Sequence, residues 1–298
     1  MPVFADLEQY RQLAHMSQLC GYQIATWQSG NDHKPTLLLL HGFPSASWDW
    51  HDIWQPLSEH FQLLALDFLG FGLSDKPHPH RYSLLAQADI VDALLKSKNI
   101  EDCHVLAHDY GVSVAQELLL RQQQGRLECR LDSITFLNGG LFAEAHRPLF
   151  TQTLLRGALG PLVAKLLSKS NLRKGFNKIF AKATPPASTD IDAIWALLNE
   201  NKGKRVVPAL LGYLNERFQY RDLWVEAMQQ CHTPLAFING REDPISGEHM
   251  RERFVELLPG HKTISLATGH YPQLEAPQQM VDAFLKLIKP FTSGPRTR

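Results

Sequence analysis

The sequence predicts an α/β fold: a mostly parallel sheet flanked by helices, with a helical segment inserted into it. Three observations predict this. Short, nearly fully apolar runs alternate with helical patterns, as expected for strands buried on both faces and joined by crossover helices. Polar or glycine-bearing segments follow those runs, where open α/β sheets bind ligands. Almost a hundred residues between positions 137 and 235 hold no clear strand.

The elements follow in order. The first buried strand is Thr36–Leu40, ending at His41-Gly42-Phe43-Pro44. Residues 62–66 form the next and run into Asp67-Phe68-Leu69-Gly70-Phe71-Gly72. Residues 103–106 lead to Ala107-His108-Asp109-Tyr110-Gly111 and then to a helix-like run, 112–121. Residues 133–137, 235–238 and 263–266 complete the set. Inside the strand-free stretch, 149–167, 191–198, 206–214 and 223–228 read as helices. Gly160-Pro161, Thr184-Pro185-Pro186 and Val207-Pro208 punctuate them. The division expected is therefore a core domain of 1–140 and 232–298 and a helical cap of 141–231. The tail, 292–298, is expected to fray.

Composition narrows the function. Lys+Arg and Asp+Glu each number 30, so no global field favours nucleic acid or an anionic membrane, and neither is expected as a partner. No apolar run approaches the roughly 20 residues that span a bilayer. The N-terminus lacks a basic start followed by an apolar core, so no signal peptide is expected. Cys20, Cys103, Cys129 and Cys231 are scattered, without metal-ligand or disulfide spacing. A cytoplasmic protein without metal or cofactor fits. One basic stretch stands apart: Arg156, Lys165, Lys169, Arg173, Lys174, Lys178 and Lys182. Of a membrane-facing surface and a solvated outer face with its apolar side over the site, we take the second.

The chemistry centres on residues 107–111. Strand, small-x-nucleophile-x-small, helix is the pattern of a nucleophile elbow, a tight turn that lifts its middle side chain above the sheet. The usual Ser is replaced here by Asp109. A competing reading makes Asp109 only a helix N-cap. His270, after Gly269 and just past the last strand, is the candidate base. Asp243, just past the preceding strand, is the candidate orienting acid, though Asp-Pro also forms turns. The backbone N–H groups of Phe43 and Tyr110 are the candidate oxyanion hole. His41 and His108 are read as braces for their loops.

The motifs HGFPSASWDW, DFLGFGLSDKP, AHDYGVSVAQE, GREDP and GHYPQLEAP together resemble the α/β-hydrolase superfamily, from about residue 20 to about residue 290. The Asp elbow is similar to that of its epoxide hydrolase and haloalkane dehalogenase branch. NGGLFAEAHRP and HYPQLE resemble the mesoderm-specific transcript branch. The resemblance implies an α/β-hydrolase fold and a hydrolase acting on a small apolar substrate and water, as a monomer or homodimer. A carboxylate attacking a saturated carbon leaves an ester, which His270-activated water can hydrolyse at Asp109. Haloalkane dehalogenases usually carry Asn after His-Gly and Trp after the nucleophile. Phe43 and Tyr110 stand there instead, so epoxide hydrolysis leads and haloalkane dehalogenation is the alternative. Epoxide hydrolases protonate the opening oxygen with cap tyrosines, which makes Tyr213 and Tyr220 candidates. Trp195 and Trp224 could supply halide-facing N–H groups. A pocket that binds a ligand or partner without turnover is a third reading. It has no need of Asp109, Asp243 and His270 together.

Overall fold

The computed structural model describes Phe4 and residues 6–29, 33–157 and 159–292. Among them, the strands are β1 (His15–Leu19), β2 (Tyr22–Ser29), β3 (Thr36–Leu40), β4 (Gln62–Leu66), β5 (Asp102–Ala107), β6 (Arg130–Phe136), β7 (Leu235–Gly240) and β8 (Lys262–Leu266). They form one sheet in the order β1-β2-β4-β3-β5-β6-β7-β8. β1 pairs with β2, and β2 with β4, antiparallel; every other pairing is parallel.

Every residue of β3 and β4 is buried, as their continuous apolar runs require. Alternate side chains go to opposite faces. Leu38 and Leu40 enter one hydrophobic cluster, Leu37 and Leu39 the other. Helices Leu84–Ser97 and Tyr110–Gln123 cover the first face; His51–Ser58 and Pro277–Thr292 cover the second. Residues 293–298 of the tail lie outside the described residues.

The β1–β2 hairpin is an addition to the sequence expectation. β1 is mostly exposed and carries no apolar run. Its turn is set by Cys20 and Gly21, both with positive φ, at 50° and 87°. That pair makes the two-residue hairpin turn whose twist matches the strands.

The chain leaves β3 for β4 on one side and returns to β5 on the other. This is the switch point where open α/β sheets leave a crevice. Among the described residues, no strand lies between β6 and β7. The helices there are Phe150–Arg156, Gly160–Lys165, Lys169–Ile179, Ser188–Asn199, Val207–Leu210, Tyr213–Gln219 and Arg221–Gln230. The third of these occupies the basic stretch, where the sequence showed no helix. The last packs on Tyr110–Gln123, with the Trp224 indole N–H donating to Glu117 at 3.0 Å. Among the described residues, no helix is long and apolar enough to cross a membrane.

Candidate active site

The elbow forms where β5 ends against β3. Asp109 has φ 42° and ψ −97°, a conformation costly for a non-glycine residue and typical of functional turns. A Cβ on Gly111 would stand 2.2 Å from the Leu40 carbonyl oxygen, so only glycine lets the helix start so close to β3. The Asp109 N–H donates to the Asn138 carbonyl at 2.9 Å and fixes the turn to the end of β6. The Asp109 side chain makes no cap bond to the following helix, so the N-cap reading fails. Instead its Oδ2 accepts the Phe43 N–H at 3.0 Å. Tyr110 opens the helix, where first-turn N–H groups have no intrahelical acceptor.

His270 Nδ1 lies 2.7 Å from Asp243 Oδ2, and both side chains are buried. Asp243 also accepts from the Ile245 N–H at 2.8 Å, the Ser246 N–H at 3.0 Å and the Ser246 hydroxyl at 2.7 Å. The turn reading and the orienting geometry therefore coexist in one carboxylate. Burial pushes the Asp243 carboxyl up, but His270 and these donors outweigh it and hold it at about 2. Burial pushes the His270 imidazole down, but Asp243 and then Asp109 outweigh it and raise it to about 8. Burial likewise opposes ionisation of Asp109, yet Arg217, His270, His108 and the Phe43 N–H hold its carboxyl below the usual range.

Three residues that the sequence did not single out complete the site. Asn138 is a hub: its side chain donates to Asp243 Oδ2 and the Gly240 carbonyl, each at 3.0 Å, and accepts the Gly240 N–H at 2.7 Å. Glu275 accepts the N–H groups of Gly269 at 2.8 Å and Tyr271 at 3.0 Å, clamping the His270 loop. It also accepts from the Ala181 N–H at 2.8 Å and the Thr184 hydroxyl at 2.7 Å, tying that loop to the helical segment. Arg217 is buried. Its Nη2 donates to the Asp109 carbonyl at 2.7 Å and lies 3.5 Å from Asp109 Oδ1. Its Nε donates to the Ser113 hydroxyl at 2.8 Å. Asn138 and Glu275 stand inside motifs the sequence offered, the NGG and HYPQLE segments. Arg217 had no such signal.

The braces are as expected. The His41 Nδ1–H donates to the Gly42 carbonyl at 2.8 Å and its Nε2 accepts the Phe68 N–H at 3.0 Å. The His108 Nε2–H donates to the His270 carbonyl at 2.9 Å.

Asp109 and His270 face a cavity of about 330 Å³. Phe43 and Pro44 complete its floor; Leu149, Phe150, Leu155, Leu172, Trp195 and Leu198 are among the apolar side chains of its roof, and Thr151, Gln152, Ser168, Asn171, Lys174 and Lys178 are polar ones. His146 also lines it, and burial, with Arg217 nearby, lowers its imidazole to about 3, so it stays neutral.

The other expected site residues divide. Trp195 is on the cavity wall. Tyr213, expected to meet substrate, does not line the cavity: it is buried with its ring 5.0 Å from that of Tyr110 and the Arg217 guanidinium 4.5 Å above it. Tyr220 does not line the cavity; its ring packs against Trp224 at 5.6 Å. It occupies the junction between two helices, which turns its side chain toward the helix on Tyr110–Gln123. Trp224 cannot face a halide, because its N–H is committed to Glu117.

Comparison with known proteins agrees with this architecture. The α/β-hydrolase-fold family matches residues 35–277. The mesoderm-specific transcript protein of Mus musculus is 40% identical over 265 residues, spanning 86% of this chain and 79% of that protein. The epoxide hydrolase CorEH superposes with a TM-score of 0.74 at 20% identity, covering 93% of this chain and 98% of that one. The haloalkane dehalogenase DbeA from Bradyrhizobium elkani superposes with a TM-score of 0.78 at 20% identity, again covering 93% and 98%. At that identity the two structures speak to the fold alone. The sheet, the elbow, the family match and the relative at 40% identity place the chain in the α/β-hydrolase family.

Proposed function

We propose that this α/β-hydrolase uses Asp109 as a nucleophile toward saturated carbon, and that epoxide opening is its reaction. The observation that carries the reading is a carboxylate on a strained elbow, in one cavity with an imidazole oriented by a second carboxylate.

Oδ2 of Asp109 already accepts the Phe43 N–H, so Oδ1 is the oxygen that attacks. The C–O bond of the epoxide breaks, and the alkoxide takes a proton. Tyr213 is the donor of this reading; it packs against Phe43 and Tyr110 outside the cavity lining, so it has to turn toward the alkoxide to deliver the proton. Burial pushes its hydroxyl far above its ordinary range, which keeps it protonated until the alkoxide forms. The product is an ester of Asp109, its carbonyl oxygen held by the N–H groups of Phe43 and Tyr110. His270 Nε2, left free because Nδ1 is engaged by Asp243, takes a proton from water. The resulting hydroxide attacks the ester carbonyl, the diol leaves, and the His270 proton returns to Tyr213. Arg217 holds the elbow through the Asp109 carbonyl and keeps the carboxylate ionised. The helical cap of 141–231 serves as the lid in this reading. Its last helix, packed on Tyr110–Gln123, anchors it.

Haloalkane dehalogenation remains a second reading on one observation: Trp195 lines the cavity. A panel of epoxides, haloalkanes and aryl esters, with Asp109→Ala as the blank, separates the two. Epoxide turnover abolished by Asp109→Ala and strongly reduced by Tyr213→Phe supports the reading. Turnover of esters alone, or of epoxides at an equal rate in Asp109→Ala, overturns it.

A further inference from the structure

The net charge of zero hides an uneven distribution. From residue 145 to residue 189 there are eight basic residues and no acidic one, so the remainder carries 22 basic against 30 acidic residues. Lys165, Lys174, Lys178 and Lys182 are exposed, Lys174 and Lys178 at the cavity mouth, whose lining they join. Lys169 pairs with Asp192, and among the described residues no carboxylate pairs with those four. The same stretch holds five of the ten large apolar side chains exposed among the described residues. They are Phe150 at 79% exposure, Leu166 at 72%, Leu159 at 64%, Leu162 at 57% and Leu154 at 41%.

A solvated basic face does not explain those side chains, since exposed apolar groups concentrated on two adjoining, mutually packed helices mark a surface that meets something apolar. The expected solvated outer face with its apolar side over the site accounts for Leu172, Phe176 and Ile179, which line the cavity, and leaves these exposed side chains over. Apolar side chains among lysines, with no carboxylate among them, fit the boundary of an anionic lipid surface. The apolar groups enter the acyl margin there and the ammonium groups stay among headgroup phosphates. We propose that the outer face of residues 150–182 docks on such a surface. A second copy of this chain is disfavoured, because a two-fold interface sets the same patch against itself and brings the two basic stretches together. Phe150 both lines the cavity and is largely exposed, so the docking face is continuous with the cavity mouth. The proposal concerns binding alone and does not depend on the reaction assigned above.

The test is co-sedimentation of the full chain with phosphatidylcholine vesicles, with and without phosphatidylglycerol. The chain is expected to bind the anionic vesicles at least about tenfold more tightly than the neutral ones. High salt should weaken that binding, since it screens exposed charge. Leu159→Ser/Leu162→Ser/Leu166→Ser should weaken it at least about tenfold, these side chains lying outside the cavity wall. Lys165→Glu/Lys182→Glu should do the same through charge. Circular dichroism and the thermal midpoint of each variant establish that it is folded, and the salt dependence of the wild type tests the charge argument without any variant. Absence of vesicle binding, equal binding to both vesicles, or full binding by the folded triple-leucine variant would overturn the proposal. So would a wild-type dimer that the leucine variant dissolves, without vesicle binding.

Discussion

The floor and the roof of the cavity are built on opposite principles. On the floor, Asp109, Asp243 and His270 stand at strand ends, and Asn138, Glu275 and Arg217 fix their loops through charged or bidentate hydrogen bonds. On the roof, Leu149, Phe150, Leu155, Leu172 and Leu198 present hydrocarbon, and polar residues among them such as Gln152, Ser168 and Asn171 bond to roof neighbours. Hydrogen bonds to charged groups are directional and hold atoms to tenths of an ångström. Apolar contact is non-directional and tolerates repacking. On the proposed function the difference amounts to a division of labour: the floor would set which bond is broken, and the roof which molecules reach it.

The largest effects should come from the reacting groups. Asp109→Ala is expected to lower kcat at least about 10³-fold, the scale of losing a nucleophile. His270→Gln should be as inactive in steady state but for a different reason. Attack by an already ionised carboxylate needs no base, whereas ester hydrolysis does. Intact-protein mass spectrometry should therefore show one substrate mass added at the peptide holding Asp109. Single turnover in heavy-oxygen water should leave label in the wild-type Asp109 carboxylate. Label confined to product, with no adduct in His270→Gln, would make Asp109 a base toward water instead.

Asp243→Asn comes next, with a loss of roughly 10²–10⁴-fold in hydrolysis of the ester. Its pH dependence is the sharper test. The raised pKa of His270, about 8, keeps the resting imidazole largely protonated at neutral pH. Only the neutral form can take a proton from water, so ester decay should rise with pH. Esterification removes the Asp109 charge, one of the causes of the raised pKa, so the midpoint for decay should fall below that of the resting enzyme. In Asp243→Asn the main cause is gone and burial prevails, which moves the midpoint lower still. Rapid-quench measurement of adduct decay across pH checks this. An unmoved midpoint in Asp243→Asn would mean that another group governs the step.

Arg217→Met should cost less in rate, roughly 10- to 100-fold, because it holds the nucleophile and does not itself react. The lost bond to the Asp109 carbonyl is charge-assisted, so stability should drop by about 1.5–3 kcal/mol, read as a lower urea midpoint. Removing the guanidinium also removes the leading cause holding the Asp109 carboxyl down. The acid limb of kcat/KM should therefore move to higher pH. A stability loss with an unmoved acid limb would confine Arg217 to bracing.

This contrast also explains what could be seen in the sequence. The floor was legible where a chemical side chain directly follows an apolar strand. Asp109, Asp243 and His270 follow β5, β7 and β8, and the structure sets Asp243 against His270 and turns Asp109 and His270 to one cavity. Arg217 was not legible, because its partner lies 108 residues earlier and nothing local to a helical Arg points there. Asn138 and Glu275 bond across 105 residues and 94 residues respectively, beyond any periodicity. The tyrosines show the limit within the helical segment. Tyr213 and Tyr220 share aromatic character and neighbourhood in the sequence. Tyr213 opens one short helix and Tyr220 caps the junction to the next, and their rings pack on Tyr110 and Trp224 respectively. The hairpin escaped for a simpler reason: β1 buries little, so it leaves no hydrophobic signature.

The smallest expected effect belongs to the roof. Leu149 lines the cavity and packs at its margin, partly buried. Leu149→Ala removes three carbon atoms from the wall and touches no hydrogen bond that its side chain makes. If floor and roof divide the work, long apolar substrates should lose little and short ones more, as the cavity widens. The ratio of kcat/KM between them should shift by about 10-fold, the scale of one or two methylenes in an apolar pocket. The midpoint for ester decay should not move, since Asp243 and His270 stay paired. A competing outcome is informative. Glu275 bonds both the His270 loop and the helical segment at Ala181 and Thr184, so it is the physical route by which roof and floor could communicate. A shifted midpoint in Leu149→Ala that Glu275→Gln abolishes would show the two regions moving as one, and the division of labour would be wrong.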